Sequence, residues 1–164
     1  LGRKTVHDLV PINLITVLTD IVEGQRLLAE SNRGALELRV EVPSCQILGD
    51  STQLSRALQN IIGNASDALQ DAGGSVQVTL RSVGEEALIA VRDDGVGISE
   101  ENLARLFQPY FTTKARGRGT GLGLFITRKI IEDHHGNIEI RSRPFEGTTV
   151  EIRIPMYASV AQPH

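Results

Sequence analysis

The order of elements written into this chain predicts an α+β fold, a sheet with helices packed on one face. Two observations carry that expectation. Apolar residues recur at helical spacing in two long early segments, whereas later segments alternate apolar with polar residues and are punctuated by glycine turns. The segments also run as helices followed by strand hairpins, not as strict strand–helix–strand alternation. With 164 residues, 40% hydrophobic and 23% charged, the chain can bury a core without disulfides or a structural metal.

After a short lead, residues 14–29 read as a helix, with Leu14, Leu18, Ile21, Val22 and Leu28 spaced for one apolar face. Leu36, Leu38, Val40 and Val42 alternate with Glu37, Arg39 and Glu41, the pattern of a half-buried strand, and Pro43 stops it. Asp50 or Ser51 then caps a helix reaching about Leu69, whose core stripe is Leu54, Ala57, Leu58, Ile61, Ala65 and Leu69. Gly73-Gly74 makes a turn, and residues 75–83 and 86–93 form a hairpin joined near Gly84. A loop-rich stretch over 94–119 holds one short helix begun at Ser99. Residues 121–133 are helical again. His134-His135-Gly136 reads as a helix end with favourable C-terminal charge and a glycine cap. Residues 137–142 and 148–154 close the fold as a second hairpin, turned at Phe145-Glu146-Gly147.

The expected organisation is a lead-in over 1–13 from an upstream domain, one domain over 14–155 and a tail over 156–164. Leu1 in place of Met suggests a fragment or processed product, with any membrane anchor or sensor lying upstream. Net charge is −3, which lends no support to a nucleic-acid surface. No apolar run approaches the roughly 18 residues of a membrane span, so this domain is expected to make no membrane contact itself. Cys45, the single cysteine, has no partner for an internal disulfide or a zinc motif, and a reducing cytoplasmic setting fits it best. His134, His135 and His164 show no metal-ligand spacing with a third ligand.

Four boxes carry the chemistry. In the first, Asn60, Asn64 and Asp67 stand at i, i+4 and i+7 and share one helix face. Amide and carboxylate oxygens in a row suit hydrated Mg2+, although a solvated polar face has the same pattern. The second is Asp93-Asp94-Gly95-Val96-Gly97-Ile98. Asp93 has the parity of Ala87, Ile89 and Val91, so it ends an apolar row and needs a partner such as an exocyclic amine; Asp94 points the other way. Gly95 and Gly97 would let backbone approach a flat ring, and a plain Asp-Gly turn is the alternative.

The third box runs from Leu106 through Phe107, Tyr110, Phe111 and Thr113 to Lys114. Its clustered aromatics could pin a loop to the domain while Lys114 reaches an anion, or could form a small satellite core. The fourth, Gly117-Arg118-Gly119-Thr120-Gly121-Leu122-Gly123-Leu124, runs into a helix, where backbone N–H groups make an anion site. It is not a P-loop, because no Gly-Lys-Ser/Thr ending follows, and no glycine triplet fits G-x-G-x-x-G.

In this order and spacing the four boxes resemble the N, G1, F and G2 boxes of the gyrase–chaperone–histidine kinase–mismatch-repair ATPase superfamily. The run from Phe111 to Lys114, followed by Gly119 to Leu124, is similar to sensor histidine kinases, particularly nitrogen-regulation kinases. The resemblance covers about residues 14–155. It implies a Bergerat-type two-layer α/β sandwich, a mixed and mostly antiparallel sheet covered by three helices. It also implies Mg2+ at Asn64, with Asn60 touching metal or phosphates through water and Asp67 beside them. Asp93 would accept from the adenine amine of ATP, with Gly95, Gly97, Ile98 and Phe107 beside the nucleotide and Thr148 in the adenine-side water network. Lys114, Arg118, Gly119, Thr120, Gly121, Leu122, Gly123 and Leu124 would hold the triphosphate, and 114–119 would be a short ATP lid. Asn60, Asn64 and Lys114 are the catalytic candidates.

Hydrolytic members, and serine kinases of the same superfamily, typically place Glu as general base where Asn60 stands. An amide cannot take a proton from water at neutral pH. The resemblance therefore implies a protein-histidine kinase catalytic domain. Its γ-phosphate goes to a histidine on a separate dimerisation domain, and from there to the receiver domain of a response regulator. His7 to Pro11 resembles the family's H-box with its proline one position early. Too little chain separates His7 from Asn64 for the long helical hairpin that an acceptor domain needs. Two alternatives stand beside this reading: a nucleotide-sensing module without transfer, and a self-contained ATPase.

Overall fold

The computed structural model describes residues 9–31, 33–69, 73–112 and 123–158. Eleven elements follow one another: β1 (Val10–Asn13), α1 (Leu14–Ser31), β2 (Gly34–Val40), β3 (Gln46–Gly49), α2 (Ser51–Leu69), β4 (Gly74–Val83), β5 (Glu86–Asp93), α3 (Glu100–Leu103), α4 (Gly123–Asp133), β6 (Asn137–Ser142) and β7 (Thr148–Pro155).

The main sheet has the order β2-β4-β5-β7-β6. Only β2 and β4 run parallel, since the intervening crossover contains β3 and α2; the other pairings are antiparallel. The expected α+β sandwich is therefore present. Alternating residues give the sheet one apolar face, and α1, α2 and α4 cover it. Register aligns that face into cross-strand rows: Leu38, Val78, Val91, Val150 and Ile140 in one, and Leu36, Val76, Asp93, Thr148 and Ser142 in the next. The opposite face is polar, with Arg141 paired to Glu151 at 3.1 Å.

The stripe of α2 matches its sequence expectation and adds Ile62 and Ser66. Asp50 caps it, its Oδ1 accepting from the Gln53 N–H at 3.2 Å. On α1 the buried residues are Leu14, Leu18, Ile21, Val22 and Ala29; Leu28 is 62% exposed, which corrects its assignment to the apolar face. The helix turns about 100° per residue, so Ala29, one turn-pair beyond Val22, takes the inward position. The strand expected at 36–42 instead covers Gly34–Val40, with Val40 37% exposed at its end.

Residues 10–13, read from sequence as part of a lead, form β1 and pair antiparallel with β3, burying Ile12 against Ile47. Neither four-residue strand is long enough to show a period, and Pro11 argues against a strand anywhere but in a narrow ribbon of this kind.

The end of α4 also differs from expectation. His134 is buried, and the Asp50 N–H donates to its Nε2 at 3.0 Å, which places the ring proton on Nδ1, 2.7 Å from the Ile130 carbonyl. It is a hydrogen-bonded bridge between α4 and the start of α2, not a terminal charge. His135, with φ 63°, occupies the left-handed cap position expected of a glycine. Its N–H donates to the Glu132 carbonyl and that of Gly136 to the Ile131 carbonyl, completing a Schellman motif. Gly136 is required for a different reason, because the Arg153 carbonyl lies where its Cβ would stand.

Candidate nucleotide-binding site

The row from Leu36 to Ser142 changes character half-way. Leu36 and Val76 are apolar, and the next three positions are Asp93, Thr148 and Ser142. Asp93 is 4% exposed, and burial holds its carboxyl above the usual carboxylate range. The N–H groups of Gly95, 2.9 Å from Oδ1, and of Thr148 oppose that shift, and neighbouring Asp94 adds to it. Asp94 is exposed as expected, but it is engaged: its Oδ1 accepts from the Ser75 N–H at 2.8 Å and secures the start of β4.

The glycines after Asp93 answer to neighbours within the fold. A Cβ on Gly95 would overlap the Ala68 carbonyl at the end of α2, which accepts from the Val96 N–H. Gly97, with φ 73°, lies against the Arg143 carbonyl. The loop after β5 is thus clamped between α2 and the β6–β7 turn. Ile98 is half-buried, its N–H donating to Ser142 Oγ at 2.8 Å.

Along α2 the polar face expected from sequence is present. Asn60 and Asn64 are half-buried and Asp67 is exposed. The amide nitrogen of Asn60 donates to Thr127 Oγ1 on α4 at 3.0 Å, and a Cβ on Gly123 would crowd the Asn60 amide. Gly123 therefore allows the start of α4 to close onto α2, with half-exposed Leu124 beside it. In the third box Leu106 is buried and Phe107 lies 5.2 Å from the Arg128 guanidinium of α4, which ties this loop to the same helix. Phe111 packs with Arg105 in the same way at 4.6 Å, whereas Tyr110 is 74% exposed. Lys114, Arg118, Gly119, Thr120, Gly121 and Leu122 lie outside the described residues.

Two residues that sequence reasoning missed join these parts. Thr127 reads from sequence as a polar residue in a helix, and Ser142 as the last residue of a strand. Only Ser142 left a trace, since a hairpin centred on Phe145 sets it opposite Thr148.

A model of the histidine kinase-, DNA gyrase B- and HSP90-like ATPases matches residues 49–158, from the start of α2 to beyond β7. The chain belongs to that ATPase family. Its matched span includes Asn60, Asn64, Asp67, Asp93 and Thr148, so the candidate site lies wholly inside the family's region. This ATPase-family chain is 38% identical over 122 residues to sporulation kinase E of Bacillus subtilis (strain 168), covering 74% of the chain and 16% of that kinase. It spans well under half the length of the curated relatives it matches. Its fold is similar to the catalytic domain of histidine kinase ThkA (TM-score 0.80, 28% identity), covering 90% of this chain and 95% of that one. It is similar also to full-length ShkA in complex with AMPPNP (TM-score 0.81, 25% identity, 93% of this chain and 32% of that one).

Proposed function

We propose that the chain is the catalytic domain of a sensor histidine kinase, which binds Mg-ATP and presents the γ-phosphate to a histidine on a separate dimerisation domain. A response-regulator receiver domain then takes the phosphoryl group. The similarity to a ThkA catalytic domain over almost the whole of both chains supports this extent of function.

The observation that carries the reading is Asp93. Its carboxylate accepts from the Gly95 and Thr148 N–H groups and, with two oxygens, keeps acceptor capacity that a nucleobase amine would fill. The α2 face fits the other end of the ligand. Oxygens of Asn60, Asn64 and Asp67 are hard donors of the kind Mg2+ takes beside water and phosphate. An ion held by a few such oxygens would take its remaining ligands from water and the triphosphate. Magnesium, when bound, neutralises phosphate charge. Lys114, Arg118 and the backbone of 119–124 would hold the phosphates.

Asn60 argues against self-contained hydrolysis. Its nitrogen is committed to Thr127, and its oxygen is an amide oxygen that takes no proton. The nucleophile then comes from outside, and an imidazole needs no base at position 60. Positioning and charge neutralisation remain the chain's own contributions. Among the described residues no helix is long and apolar enough to cross a membrane, and the proposed transfer takes place in the cytoplasm, where ATP is available.

Labelled ATP added to this chain together with the parent's dimerisation domain should label that domain's histidine, and the chain alone should take up none. Label on the isolated chain, abolished by His7→Ala, would overturn the reading. ATP binding with no label on the acceptor would replace it with a nucleotide-sensing module.

A further inference from the structure

Ser142 Oγ has one proton and three polar neighbours, which fixes the direction of every bond around it. The Ile98 N–H can only donate, and it reaches Ser142 Oγ at 2.8 Å. The Gly147 carbonyl can only accept, and it lies 2.8 Å from the same oxygen. Ser142 therefore gives its proton to Gly147. Thr148 Oγ1, 2.7 Å away, must then donate to Ser142, because the opposite choice would set two lone pairs against each other at Gly147. With its proton committed, Thr148 presents only lone pairs to a ligand. Its neighbour in the row, Asp93, is an acceptor as well.

We propose that Ser142 is a positioning residue that sets the base selectivity of the site by holding Thr148 as an acceptor. Two acceptors side by side match a 6-amino purine, whose exocyclic nitrogen carries two N–H donors. A 6-oxo purine would turn a carbonyl oxygen toward them and be rejected. Without Ser142 the Thr148 hydroxyl turns freely and can donate to that carbonyl. This inference rests on the nucleotide reading and adds to it the element that polarises the site, two strands along the same cross-strand row from Asp93.

Calorimetric titration of the whole chain with ATP and with ITP tests it. Wild type should prefer ATP. Ser142→Ala should reduce the ATP-to-ITP affinity ratio about ten-fold, the worth of one hydrogen bond to a well-placed group. Ser142→Thr, which keeps the hydroxyl, should restore the ratio, and Thr148→Val should lower it as Ser142→Ala does. An unchanged ratio in Ser142→Ala, including equal weakening of both nucleotides, would overturn the proposal, since a merely structural serine predicts that result. Where Ser142→Ala does not fold, Thr148→Val decides, and an unchanged ratio there overturns the proposal too. A wild-type chain that binds ATP and ITP equally removes this inference and leaves nucleotide binding standing. Binding of neither removes both.

Discussion

Asp93 and Asn64 are both candidate nucleotide contacts, one on a sheet and one on a helix, and their surroundings are built on different physics. Asp93 closes an apolar row of a sheet, stripped of water, with burial working against its charge and two backbone N–H groups working for it. Asn64 is a neutral amide on the half-buried face of a helix and pays no comparable penalty for being there. Under the proposed function, that difference gives each residue its task. A buried charge with preset hydrogen bonds discriminates among ligands, because a wrong group leaves it unpaired. A half-exposed amide face can only help to hold an ion whose other ligands arrive with the substrate.

The largest expected effect breaks the strand side. Asp93→Asn replaces a charged acceptor by an amide and should weaken ATP about 10- to 100-fold by calorimetry, in line with hydrogen bonds to charged groups. Asp94→Ala should leave ATP affinity unchanged, because that carboxylate is engaged with Ser75 on the outer side. Equal effects would erase the contrast between the two aspartates. The same substitution shows in the pH dependence of stability. Burial raises the folded-state pKa of Asp93 above the ordinary 3.8, so the folded chain holds this proton more tightly than the unfolded one. The Asp93 contribution to stability is therefore full below that value and falls as pH rises through the raised one. Denaturation of Asp93→Asn from about pH 4 to about pH 7 should lack this component of the decline.

Next in size, Asn64→Ala should abolish most of the gain in ATP affinity that Mg2+ confers while leaving metal-free ADP binding intact. ATP titrations with and without Mg2+ in both proteins measure it, and an undiminished magnesium effect would assign Asn64 to a polar face and nothing more. The smallest effect is expected at Thr127→Val, which removes the acceptor for the Asn60 amide. It should lower stability by about 1 kcal/mol in urea denaturation, the net worth of one part-buried hydrogen bond. No loss at all would show that α2 and α4 are held without it.

Much of the fold is legible in the chain because its signals are periodic. The stripe of α2 and the alternation of β5 each repeat often enough to name their inward residues, and the parity of Asp93 follows from Ala87, Ile89 and Val91. Elements without a period escape. β1 and β3 are four residues each, and they are strands only because they find each other and bury Ile12 on Ile47. His134 looks like a charge at a helix end until α2 brings the Asp50 N–H to its ring. Gly95 and Gly97 read from sequence as allowing backbone to approach a flat ring, and the fold adds a reason of its own: the carbonyls of Ala68 and Arg143 stand where their side chains would be.

The sequence by itself picked out the candidate residues: the amides and carboxylate at 60, 64 and 67 and the aspartate at 93 by residue type and spacing, and the threonine at 148 by family resemblance and its inward parity. Type, spacing and parity are local properties of the chain. Only the tertiary structure decided what those groups are bonded to. Thr127 meets Asn60 across two helices, and Ser142 joins the loop after β5 to the β6–β7 turn through one hydroxyl. A hydrogen bond has a direction and a length of about 3 Å, and neither can be read until segments far apart in sequence are placed side by side.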